Sequence, residues 1–191
     1  MHSTNPQAIT EKCAKAVKIL ETFVEPGQSG SQQHIPPQII DQAKGIVILS
    51  VVRAGIVLNK RGGSGLVMVR LPDGSWSAPS AISTDGFGAG LQIGTSKSNL
   101  ILLFRRFVVG PSRNNSGKAI NEPIYLYSTT NGIFIGISLK ESVLTQVFED
   151  EEANSSFYGP QVSAKDILSG FVKCPTDAEP LYRLLSHSSE Y

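Results

Sequence analysis

Lys44 to Gly94 reads KGIVILSVVRAGIVLNKRGGSGLVMVRLPDGSWSAPSAISTDGFGAGLQIG. Three apolar, β-branched runs (Ile46 to Val52, Ile56 to Leu58, Leu66 to Val69) are separated by glycine clusters. Short apolar runs bounded by glycine and turn residues predict buried strands. Arg61-Gly62-Gly63-Ser64-Gly65 and Pro72-Asp73-Gly74 fall between runs and predict hairpin turns. Gly86, Gly88, Gly90 and Gly94 invite a nucleotide-binding reading, but Leu91 occupies the third glycine position of G-x-G-x-x-G. Close strand packing or a loop accounts for these glycines better.

Working outward, residues 6–24 predict a helix: Asn5 caps it and Pro6 suits its first position. Ile9, Cys13, Ala16, Val17, Leu20 and Val24 recur at helical spacing and form one apolar arc. Pro36-Pro37 opens a short helix through Ala43, closed by Gly45. Beyond the central stretch, Leu100 to Phe104 and Phe107 to Val109 predict strands. Ser112 to Asn121 predicts a loop, and Ile124 to Ser128 with Gly132 to Leu139 a hairpin around Thr129-Thr130-Asn131. Val143 to Phe148 continues the sheet, and Glu149 to Glu152 reads as a solvated acidic run. Ser163 caps a short helix ending at Gly170, and Thr176 with Glu179 gives a capping-box pattern for a last helix through Leu185. Helices at both ends of a run of strands predict an α+β fold, with a mostly antiparallel central sheet or partial barrel.

The chain has 191 residues, enough for one sizeable core and short for two domains. A net charge of +1 argues against a generic nucleic-acid binder, so any anion site must be local. The two cysteines, Cys13 and Cys174, lie far apart and form no metal motif, as expected of thiols in a reducing compartment. No apolar run approaches the roughly twenty residues of a membrane-spanning helix. The N-terminal residues lack a signal-peptide pattern. A cytoplasmic protein, peripheral wherever it meets a membrane, is the expectation. The three histidines sit in polar segments, and no nucleophile or acid–base pairing stands out, so neither an enzyme nor a cofactor is expected.

Three basic groups are candidates for anions. Lys12, Lys15 and Lys18 flank the apolar arc of the first helix, where lysine stems lie along apolar surface and ammonium groups reach headgroup level. In that arrangement Ile9, Val17 and Leu20 face the acyl region. The alternative is a helix whose arc docks on the domain and whose lysines are merely solvated. Lys60 and Arg61 precede Gly62-Gly63, where a tight turn would leave backbone N–H groups for a phosphate, with Arg53 and Arg70 nearby in sequence. Arg105, Arg106 and Arg113 form a third group, whose guanidinium forks suit phosphates or an acidic protein surface.

Arg53-Ala54-Gly55, Gly62-Gly63-Ser64-Gly65 and above all DGSWSAPSA at 73–81 resemble the SYLF domain, also called the Las17-binding or Ysc84-type actin-regulator domain. The resemblance continues through YLYSTTNGIFIGISL at 125–139, Phe157-Tyr158-Gly159, DILSG at 166–170 and AEPLY at 178–182, so it covers nearly the whole chain as one domain, 1–191. It implies a phosphoinositide-binding module linked to actin and endocytosis, peripheral at the plasma membrane or endosomes, using its N-terminal helix for lipid. Phosphoinositide-containing membranes and actin filaments are the implied partners, with no nucleic acid and no small-molecule substrate. An actin-binding protein that does not touch lipid is the alternative. Two departures matter. Arg105-Arg106 directly joins blocks that a strand–helix–strand stretch usually separates, and the segment before Asn154, basic in similar proteins, is acidic here. Relatives often carry a C-terminal Src-homology-3 domain. None is present up to Tyr191, so the chain by itself is expected not to bind proline-rich peptides.

Overall fold

A computed structural model describes the backbone of residues 7–24, 34–105, 124–135 and 148–187, and the side chains of these except 53–61, 85–95, 130–135 and 148. Two strands dominate it: β1 (Gly45–Val69) and β2 (Ser80–Phe104), each of 25 residues. A straight strand of that length would run about 80 Å. Yet the Arg70 N–H donates to the Lys44 carbonyl at 2.9 Å, so β1 returns to where it began. The register with β2 locates the reversal. Pairing runs from Gly45↔Phe104 to Ile56↔Ile93, then resumes at Leu58↔Ala89 and continues to Val67↔Ser80. Residue 57 of β1 lies inside the shift, opposite residues 90–92 of β2, as expected where β2 takes the longer path around the bend. The ribbon is folded over, with the two halves of β1 side by side and the halves of β2 outside them.

This corrects the expected turn at Arg61 to Gly65, which is extended strand paired with residues 82–86. Its glycines serve close approach. A Cβ on Gly65 would overlap the Ile48 carbonyl oxygen, and one on Gly63 would come within 3.0 Å of the Ser50 carbonyl oxygen. The turn at Pro72 to Gly74 is as expected. Leu71 donates to the Ser75 carbonyl at 2.7 Å, Gly74 takes a φ of 89°, and the Asp73 carboxylate accepts from the Ser75 N–H and hydroxyl.

β3 (Ile124–Ile135) pairs with β2 from Ile93↔Ile135 to Phe104↔Ile124. The expected hairpin at Thr129 to Asn131 is therefore absent: these residues pair with Asn99, Ser98 and Lys97. β-Branched threonines suit extended backbone, and a long partner strand lets the pairing continue. β4 (Phe148–Glu149) pairs with the other half of β2 at Ser83 and Ile82. The sheet is antiparallel throughout, and among the described residues no pairing closes it into a barrel. The expected strands at 107–109 and 143–147, the loop at 112–121, and the end of the hairpin at 136–139 lie outside the described residues.

Strand alternation gives the sheet two apolar faces. Ile46, Ile48, Leu66, Met68, Ala81, Ile101 and Leu103 pack against the helices in the main core. Val47, Leu49, Val51, Val67, Ile82, Leu100 and Leu102 face the other way and cluster with Leu168. Both faces being buried explains why these strands read as continuous apolar runs.

α1 (Ala8–Val24) buries Ile9, Cys13, Ala16, Ile19, Leu20 and Phe23 against the first face. α2 (Pro37–Gln42) starts with proline at its first position, and Ala43 caps its end in extended conformation. The acidic run is not simply solvated. Asp150 caps α3 (Glu151–Tyr158), accepting from the Ala153 N–H at 3.1 Å, and Glu151 and Glu152 occupy its first turn, where the helix dipole favours negative charge. α4 (Ala164–Leu168) opens with the Ser163–Asp166 capping box, and Gly170 follows at a φ of 85°. The expected Thr176–Glu179 box does not form: Thr176 starts a 3₁₀ turn to Ala178 that runs into α5 (Glu179–His187). Leu181 and Leu185 of α5 are fully buried.

Candidate functional site

α1 crosses the sheet with its apolar arc inward, which fixes where its lysines stand. Ile9 and Leu20 are fully buried and Val17 packs on the same core, so the arc is committed to the protein interior while α1 is docked. The expectation that these three face acyl chains is not met in this arrangement, because the sheet takes up that surface. Lys12 Nζ lies 3.1 Å from Asp150 Oδ2, tying α1 to the start of α3. Thr10 Oγ1 donates to Asp177 at 2.9 Å, tying it to the C-terminal segment. Lys15 is half-buried and Lys18 exposed. The Lys15 pKa is lowered, first by burial and then by the charges of Lys97 and Lys12. The charges of Lys97 and Lys12 thus act on Lys15 where α1 meets β2. Lys12 and Lys15 border a cleft of about 390 Å³ whose walls also include Glu11, Ser64, Asp150 and Glu152.

The remaining basic candidates are placed differently. The side chains of Lys60 and Arg61 lie outside the described residues; their backbone pairs with Phe87 and Gly86, so there is no phosphate-cradling turn at 61–65. Arg70 is a structural staple: it lies 4.4 Å over the Trp76 ring and donates to the carbonyls of Ala43, Gly74 and Ile40. Burial lowers its pKa, while Asp41 opposes that shift. Arg105 is exposed and donates to the Gln42 side chain. Arg106 and Arg113 lie outside the described residues.

A second cavity, of about 480 Å³, lies between the 70–78 turn and α5, beside Trp76, Cys174 and Tyr182. The Tyr182 hydroxyl there donates to the Ser77 carbonyl at 3.1 Å, and the phenol pKa is raised chiefly by burial. Among the described residues, no group of His, Cys, Asp or Glu is placed to hold a metal. Lys97 and Ser64 are the site residues that the sequence reading missed. The register that brings them to α1 depends on the fold-over of β1, which leaves no local signal.

Residues 106–188 match the family described as Ysc84, Las17-binding protein actin regulator. Along its length the chain is 39% identical to an SH3 domain-containing protein of Schizosaccharomyces pombe, an alignment covering 97% of this chain and 49% of that protein. It is 37% identical to the SH3 domain-containing YSC84-like protein 1 of Rattus norvegicus, over 100% of this chain and 62% of that one. The chain belongs to the Ysc84 family. LAS seventeen-binding protein 3 of Saccharomyces cerevisiae is 34% identical to it, over 94% of this chain and 44% of the relative. The chain thus spans about half the length of the Ysc84-type proteins it matches. The alignment with the rat protein runs over 215 positions against 191 residues here, so that relative carries residues with no counterpart in this chain, in keeping with a shortened middle. No solved structure matches.

Proposed function

We propose that this chain is an actin-linked, non-enzymatic adaptor domain that docks on phosphoinositide-containing membranes through the lysine edge of α1. The observation that carries the reading is that Lys12 and Lys15 line one cleft along α1 in a protein whose net charge is only +1. The actin link rests on the family description and on the names of the relatives. Contact is electrostatic rather than by insertion, since the apolar arc of α1 is already buried. Each lysine near an anionic leaflet contributes about 1 kcal/mol. No helix among the described residues is long and apolar enough to cross a membrane, in keeping with peripheral attachment at the plasma membrane or endosomes.

Lys15 and Lys18 are the residues to change, because Lys12 also holds Asp150. Lys15→Glu with Lys18→Glu should lower flotation with phosphoinositide vesicles by about tenfold or more while leaving the melting temperature within a few degrees. Leu20→Asp should instead unfold the domain. Equal flotation of wild type with neutral and phosphoinositide vesicles sinks the lipid reading. The buried arc favours a second reading, binding to actin filaments without lipid, with the exposed Arg105 and the neighbouring Arg106 and Arg113 as candidate contacts. Co-sedimentation with filaments, in parallel with flotation, separates the two.

A further inference from the structure

Phe171 stands out from the surface. Its side chain is 87% exposed, whereas Val52, Ile124 and Leu126, the other exposed large apolar side chains among the described residues, are at most 44% exposed. A lone exposed apolar residue is ordinary. Phe171 differs because it sits on a fixed base. α4 ends just before it, and Gly170 takes a φ of 85°, with a Cβ position only 2.9 Å from Leu71 Cδ1. Three residues on, the Cys174 thiol donates to the Trp76 carbonyl at 3.7 Å. The segment between is thus fastened at both ends against residues 71–76. A protrusion already ordered in this way loses little freedom on binding.

Beside it lies the cavity of about 480 Å³ between the 70–78 turn and α5. Leu71, Trp76, Val172, Pro175, Tyr182 and Leu185 supply its apolar walls. The volume admits an aromatic side chain, and the Trp76 and Tyr182 rings suit contact with another ring. Phe171 of the same chain leaves it unfilled and faces solvent. Gly170 and Val172, on either side of Phe171, both line the cavity, so protrusion and cavity share one face. Two copies related by a two-fold axis can each place Phe171 in the cavity of the other, since such an interface uses one self-complementary patch twice. The charges agree with this. Lys173 is exposed two residues from Phe171, and Glu179 is exposed on the cavity wall. The two-fold arrangement sets Lys173 of each copy toward Glu179 of the other, beside the Arg183 that Glu179 meets at 3.5 Å in its own chain. We infer that this chain forms a two-fold dimer in which Phe171 of each copy fills the cavity beside Trp76 of the other. Two aromatic insertions bury about 300–500 Å² of ring surface. With the cavity walls added, the interface stays below the roughly 1,200 Å² of standard ones, so the dimer is weak and concentration-dependent.

Sedimentation velocity of the full chain from about 1 μM to 1 mM tests this, and the average mass should rise from that of one chain toward that of two. Phe171→Ala should weaken association by about thirtyfold or more. Lys173→Glu alone and Glu179→Lys alone should each weaken it by about tenfold, through like charges facing each other across the axis. An equimolar mixture of these two variants should associate as wild type does, because every facing pair is then of opposite sign. All three positions are exposed, so the variants should melt as wild type does in dilute solution. A single-chain mass at every concentration overturns the dimer. So does association that Phe171→Ala leaves unchanged, or a mixture that fails to restore it. A fall in melting temperature for Phe171→Ala in dilute solution would place the ring in its own chain's cavity and overturn the exchange. Reduced vesicle flotation of Phe171→Ala with no change in association would make Phe171 a lipid contact and overturn it equally.

Discussion

Asn154 shows how one side chain carries a joint. It is fully buried, accepts from the Ala81 N–H at 2.7 Å, and donates to Ser80 Oγ at 3.1 Å and to the Ala81 carbonyl at 3.3 Å. It thereby fastens α3 to the start of β2. Asn154→Ala leaves the Ala81 N–H without this acceptor, and we expect a loss of about 2–3 kcal/mol in denaturant unfolding. Cys13 gives a pH signature. Burial, and secondarily the Asp177 charge, push its thiol from 9.0 up to about 12. The folded state thus holds a neutral thiol that the unfolded chain would ionise. Its stabilisation is complete below about pH 9 and is lost as pH rises toward 12. Tyr158 and Tyr182, also raised mainly by burial, add to the loss above pH 10. In melts between pH 8 and 10, Cys13→Ala should show a shallower alkaline decline than wild type; an identical slope would remove Cys13 from the account.

At the scale of the element, β1 works only because it can lie against itself. Gly65 is the tightest point: a methyl group there meets the Ile48 carbonyl oxygen, which is backbone and has no rotamer by which to move away. Gly74 offers a contrast. Its Cβ direction is open, but its φ of 89° favours glycine. Gly74→Ala should cost about 1 kcal/mol through backbone strain, whereas Gly65→Ala should cost about 3 kcal/mol or more through overlap. Comparable small losses for both in thermal unfolding would mean that the halves of β1 are less closely apposed than described.

At the scale of the whole molecule, α1 is part of the core. Ile9, Ile19, Leu20 and Phe23 are each at most 5% exposed. Burial of four such side chains contributes about 6–12 kcal/mol, comparable to the whole stability of a domain. Undocking α1 to insert its apolar face would therefore unfold the protein, so under the proposed function membrane contact is by charge. The consequence is a salt dependence. Vesicle binding through exposed lysines should fall steeply between low and physiological ionic strength, where the screening length shortens to about 8 Å. Flotation unaffected by salt would point away from the lysine edge.

The sequence by itself determined the local features that short-range chemistry enforces. The helical period of Ile9 to Val24, the Pro72 to Gly74 turn and the Ser163 cap all stand where spacing and turn residues put them. Its motifs also identified the family, and its end helices around antiparallel strands gave the fold class. Tertiary structure decided what depends on distant partners. Gly62 to Gly65 and Thr129 to Asn131 carry turn-forming residues, yet both are strand, because a long partner extends the pairing through them. Of the site, Lys12 and Lys15 were legible from helical spacing, but that Lys12 pairs with Asp150 and that the Lys97 charge acts on Lys15 was not. Those contacts exist because β1 folds back at residue 57, a reversal driven by burying two apolar faces at once, and no local run of residues encodes it.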